Sequence, residues 1–152
     1  EDGRRSGTEN LAGAISIAKA FRLAKEKMEQ HLPSLKTLRA YFVEKLAEIN
    51  GVYINSPKDN VAPHIINISV PNTKPEVIIH SLGERGIFIS TKSACSSKDE
   101  DESRVLEACG HSLDRATTGL RISLSYENTK EEVDQFISVF SNIVQNFKKM
   151  LE

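Results

Sequence analysis

A chain of 152 residues with 39% hydrophobic and 27% charged side chains has enough apolar mass for one folded core and too little length for two ordinary domains. Its 20 basic and 21 acidic residues leave a formal charge of −1, so no global field would draw in nucleic acid or anionic lipid. No apolar run approaches the roughly 20 residues that span a bilayer, the amino end shows no secretory pattern, and two cysteines make a poor disulfide framework; the expectation is a reducing, cytoplasmic setting with no membrane or nucleic-acid partner.

The opening "EDGRRSGTEN" runs from charge and glycine directly into a helical pattern, which reads as a piece of a longer protein. From Thr8 or Asn10, the residues Leu11, Ala14, Ile15, Ala18, Phe21 and Leu23 fall largely on one helical face. Pro33 predicts a kink or restart before Leu35, Leu38, Phe42 and Leu46 resume the stripe, and Gly51 marks the end. "VYIN" (52–55) and "HIINISV" (64–70) read as strands, the second with Ile66, Ile68 and Val70 on one face. A helix follows with Asn72 or Thr73 as cap, Pro75 in its first turn and Gly83 or Gly86 as terminator. "IFIS" (87–90) reads as a further strand that delivers the chain into the polar segment "TKSACSSKDEDES".

After that segment come a short helix from Ser103 to about Cys109 and a strand, "LRISLS" (120–125). In the strand Leu120, Ile122 and Leu124 alternate with Arg121, Ser123 and Ser125, so Arg121 should point away from the core. The last helix opens on a capping box, Thr129 with Glu132, and carries Val133, Phe136, Ile137, Phe140, Ile143, Val144, Phe147 and Leu151 at three- and four-residue steps. The order of elements implies an α+β domain of two layers, helices against a small and mainly antiparallel sheet.

Cys95 has almost no apolar neighbours, whereas a structural cysteine behaves as a small buried hydrophobe. A thiol with the ordinary pKa of about 8.5 is roughly 5% thiolate near pH 7.3. Lys92 and Lys98 would raise that fraction, and Asp99, Glu100, Asp101 and Glu102 would oppose them. The segment therefore suits reach more than permanent activation, and an incidental surface cysteine has the same pattern. Arg121 is either a solvated surface residue or a fixed fork for a carboxylate. Thr8 is either an ordinary helix cap or a phosphate ligand at a helix entry. Cys109, beside apolar residues, reads as structural. Cys95, Cys109 and His111 lack the paired spacing and fourth ligand of a zinc site, so no metal is expected.

Taken together, "GRRSGTEN", "SACSS" and "LRISLSYENTKEEVD" resemble three ordered motifs of the cysteine desulfurases, pyridoxal-phosphate enzymes of aminotransferase class V, and the likeness runs through nearly all of residues 1–152. The long segment around Cys95 is similar to the nitrogen-fixation and general iron–sulfur cluster group. The resemblance implies the C-terminal small domain of a fold-type I enzyme acting as a homodimer. It implies that L-cysteine is the substrate, L-alanine the product, and Cys95 the nucleophile that keeps the sulfur as a persulfide for an acceptor protein serving iron–sulfur clusters or tRNA thiolation. Arg121 would grip the substrate carboxylate, and Thr8 would reach the cofactor phosphate across the dimer. The cofactor-binding lysine belongs to a preceding large domain that this sequence does not contain, so the chain alone should not turn over cysteine. A selenocysteine lyase, an aminotransferase domain or a non-catalytic α+β interaction module are the rival readings; the setting of Cys95 weighs against an aminotransferase, which needs no thiol.

Overall fold

The computed structural model describes residue 3, residues 7–91 and residues 103–151, the side chains of 150 and 151 excepted. The chain resolves into two compact units, Glu1–Pro33 and Ser34–Glu152.

The first unit is dominated by the beginning of helix α1, Leu11–Ala47. Asn10 caps it: its side-chain oxygen accepts from the Gly13 amide at 2.9 Å, and its carbonyl accepts from Ala14 at 3.0 Å. The exposed polar surface carries the four-residue pairs Arg22–Glu26 and Lys25–Glu29, each worth a few tenths of a kcal/mol. The apolar stripe expected here is present but exposed, with Leu11, Ile15 and Phe21 showing 69%, 61% and 73% of their surfaces.

α1 does not restart at Pro33, which lies inside the helix. The ring removes one amide donor, a loss that a 37-residue helix with packed residues beyond the proline absorbs. The helix ends at Ala47, short of Gly51, and a turn closes the connection: Ile49 bonds back to Leu46, Val52 bonds to Ile49, and Gly51 adopts a φ of +88°.

In the second unit, β1 (Tyr53–Ile54), β2 (Ile65–Ser69) and β3 (Gly119–Ser123) form an antiparallel sheet in the order β1-β2-β3. Register decides what each face carries. Ile66 opposes Ile122 and Ile68 opposes Leu120, and all of them are at most 4% exposed. That face joins Phe42 and Leu46 of α1, Ile78 and Leu82 of α2 (Pro75–Gly83), and Val133, Phe136, Phe140 and Val144 of α5 (Lys130–Leu151) in one core. Phe136 sits edge-on to Phe42 with centroids 5.0 Å apart. The two-layer α+β arrangement expected from the sequence is therefore the one observed. The capping box of α5 is reciprocal as well: the Glu132 carboxylate accepts from the Thr129 amide at 3.0 Å and the Thr129 hydroxyl from the Glu132 amide at 3.3 Å.

Further local expectations are corrected. Residues 87–89 do not form a strand. Gly86, at φ +73°, ends α2 in a Schellman turn in which the Ile87 amide bonds to Leu82 and the Gly86 amide to Gly83, so the chain is tied back to the helix and meets β3 only at Ser90. The position before Pro75 is occupied by Lys74, whose side chain makes no capping bond, and not by Asn72 or Thr73. A short helix absent from the sequence reading, α4 (Leu113–Thr117), follows α3 (Arg104–Ala108); with five residues it is too brief to leave a periodic signal. Cys109, read as a packed residue, is exposed at the C-terminal cap of α3.

Candidate active-site face

The alternation that buries Leu120 and Ile122 turns Arg121 to the opposite face of the sheet, opposite Asn67 of β2. Side chains of Asn55, Asn67 and Ser69 share that polar face, and α4 lies over part of it through Arg115. The Asn55 carbonyl oxygen accepts from Arg115 Nε at 2.9 Å and from Nη2 at 2.6 Å, while Nη2 also reaches the Ile54 carbonyl at 2.6 Å. The Asn55 amide donates to Asn67 Oδ1 at 2.7 Å and Ser69 Oγ at 2.6 Å. Ser69, fully buried, returns its hydroxyl proton to the Arg115 carbonyl at 2.7 Å. Every buried polar group in this closed loop has a partner, which is the condition under which such a network stiffens its surroundings.

The described residues on either side of the segment that carries Cys95 bond to β3 and α4. On one side, Ser90 and Arg121 exchange backbone hydrogen bonds, Ser90 amide to Arg121 carbonyl at 3.1 Å and the reverse at 2.6 Å. On the other, the Ser103 amide donates to the Ala116 carbonyl at 3.0 Å, next to Arg115. Thr91 also lines a cavity of about 560 Å³ that the start of α2, Asp114 and residues 116–119 complete. Cys95 itself lies outside the described residues. Three residues, 92–94, lie between it and Thr91, a length of chain that extends to about 14 Å at most.

Arg121 is half-buried, and its Nε is shielded from solvent with no hydrogen-bond partner among the described residues. A guanidinium held by its strand with an unused donor is suited to a planar carboxylate, which takes two donors at once. Thr8 is exposed and stands two residues before the Asn10 cap, so capping, one of the two roles open to it in the sequence, belongs to Asn10. Thr8 lies in the first compact unit and Arg121 in the second. Among the described residues no group of His, Cys, Asp and Glu is arranged to hold a metal ion, and no helix is long and apolar enough to cross a membrane. Nothing in "SLDRATT" singles out Arg115; Asn67, polar between two isoleucines that prove buried, is the one visible hint of a structured polar face.

The chain belongs to the aminotransferase class-V family, whose model matches residues 2–136. It is 39% identical over 155 aligned positions to a NifS/IcsS protein homolog of Lactobacillus delbrueckii subsp. bulgaricus, covering 99% of this chain and 39% of the relative. It is 35% identical to a cysteine desulfurase IscS of Dictyoglomus turgidum, covering 97% of this chain and 38% of that protein. Among solved structures, a NifS-like protein matches with a TM-score of 0.76 at 31% identity, covering 94% of this chain and 36% of the other. The chain thus spans well under half the length of the curated relatives it matches.

Proposed function

We propose that this chain is the C-terminal small domain of a cysteine desulfurase, which as a whole protein converts L-cysteine to L-alanine and a persulfide on Cys95. What carries the reading is a conjunction. The chain aligns with proteins named cysteine desulfurase IscS over 97% to 99% of its length, and Ser90, shortly before the "SACSS" cysteine, is bridged to Arg121, whose Nε has no hydrogen-bond partner among the described residues.

Toward the cofactor and substrate the described residues offer two groups of suitable chemistry, the Thr8 hydroxyl for a phosphate and the Arg121 fork for a carboxylate. Pyridoxal phosphate, bound mainly by the remainder of the protein and by its lysine, supplies the electron sink for breaking the substrate's carbon–sulfur bond. In this assignment Arg121 fixes the substrate by its carboxylate. The Cys95 thiolate attacks the substrate sulfur; a sulfur–sulfur bond forms as the carbon–sulfur bond breaks, and the released electron pair takes up a proton on carbon to give alanine. The tether then carries the persulfide to an acceptor protein serving iron–sulfur cluster assembly or tRNA thiolation. Thr8 serves the phosphate bound by a second subunit, so the functional unit is a homodimer, in the cytoplasm.

The test uses the whole protein with cofactor bound. Cys95→Ala should abolish alanine and sulfide release while the cofactor's visible absorbance persists; full activity in that variant refutes the role. Arg121→Lys keeps the charge but loses the fork, and should raise KM for cysteine by about 10- to 100-fold, the size of one charge-assisted hydrogen bond.

A further inference from the structure

Away from the sheet's polar face, Arg39 of α1 presents a chemical imbalance. It is 8% exposed, and among the described residues its guanidinium makes one hydrogen bond, from Nη2 to the Pro57 carbonyl at 3.3 Å, a long contact with a neutral group. Its Nε is shielded from solvent and has no hydrogen-bond partner among the described residues. No carboxylate lies within ion-pair distance of it among the described residues. A buried cation without an anion is costly, because the interior cannot replace the water that the charge gave up.

Arg39 lines a cavity of about 540 Å³ whose rim carries Lys36 and Lys58, both exposed and neither ion-paired among the described residues. Among the described residues Asp59 is the one acid of the lining, which leaves a surplus of two positive charges there. Asn60, held at φ +55°, adds a neutral polar side chain to the same wall. Two rim cations over a buried guanidinium make a well that favours a compact multivalent anion, and the volume exceeds that of a single tetrahedral oxyanion.

We propose that this cavity is an anion-binding site for a small phosphate-bearing ligand, with Arg39 as the buried anchor and Lys36 and Lys58 as the rim clamp. The proposal stands independently of the sulfur-transfer reading, since none of these residues enters it. Free anions and phosphate displayed on a lipid surface share the same chemistry, and the burial of Arg39, against exposed Lys36 and Lys58, favours the free anion over a flat surface.

Isothermal titration of the chain with inorganic phosphate and with pyrophosphate tests it, alongside sedimentation with phosphatidic acid vesicles. Pyrophosphate should bind more tightly than phosphate, and both should weaken as salt is raised. The double variant Lys36→Ala/Lys58→Ala alters exposed residues only and should weaken pyrophosphate by about tenfold, comparable to losing one charge-assisted hydrogen bond. Arg39→Gln should weaken it further, and circular dichroism reports whether that variant is folded; if it is not, the rim variant alone decides. Absence of binding at millimolar anion, equal binding by the rim variant, or binding to vesicles without binding to the free anions overturns the proposal.

Discussion

Removing the side chain of Asn55 tests whether the polar face of the sheet is a cooperative structure or a set of incidental contacts. Asn55→Ala takes away two bonds from the Arg115 guanidinium and two donated to Asn67 and Ser69. Arg115 is half-exposed, so water partly replaces its loss and the charge-assisted share stays near the low end, about 1.5 kcal/mol. Asn67 Oδ1 and the buried Ser69 hydroxyl are each left short of a partner, at about 1 kcal/mol apiece. The expected loss is about 3 to 4 kcal/mol, or roughly 10 °C in Tm for a chain of this size. Urea titration followed by far-ultraviolet circular dichroism measures it, and the m-value should not change. A cycle with Arg115→Met should give a coupling above about 1 kcal/mol. A loss under about 1 kcal/mol, or a coupling under about 0.5 kcal/mol, refutes the network.

Thr129→Ala should cost about 1 kcal/mol through the lost cap, and Thr129→Ser should restore most of it, read as Tm. Hydrogen bonds from Asn128 first, and then from the Thr129 amide, hold the Glu132 carboxyl below its usual pKa. That contribution is present above the unfolded glutamate pKa and is lost as pH falls through the depressed folded value. Glu132→Gln should therefore be less stable than the parent at pH 7 and converge with it in acid. The Tyr41 hydroxyl donates to the Asp134 carboxylate, the largest cause of a pKa pushed up to about 12. Its contribution is complete below pH 10 and disappears as pH rises toward 12, so the stability gap between Tyr41→Phe and the parent should close over that interval, measured by urea titration.

What could be read from the residues was whatever a short period or a local cap dictates. Ile66, Ile68, Leu120 and Ile122 announced the buried face because alternation is a strand's own geometry, and Thr129 with Glu132 announced the last helix because a capping box is complete within four residues. The misreadings share a different physics. "IFIS" has the composition of a strand, but Gly86 in its left-handed turn sends it back to α2 before it can pair. Pro33 looked like a break because its ring forfeits a bond, yet one missing bond does not end a helix with packed residues beyond it. The desulfurase likeness was legible from three motifs, whereas Arg115, Asn55 and Ser69 were not, since their partners lie up to 61 residues away and only the folded chain brings them together.

The strand that bears Arg121 cannot be tuned by sliding. Leu120 and Ile122 face oil while their neighbour faces the polar side, so inserting or deleting a single residue upstream within β3 would exchange them, driving a guanidinium into the hydrocarbon layer and two aliphatic groups into water. Any lineage that adjusts the position of this arginine must therefore do so by changing side-chain length or neighbours, never by shifting the frame. Substitutions are tolerable experiments at this edge of the protein, and indels are not.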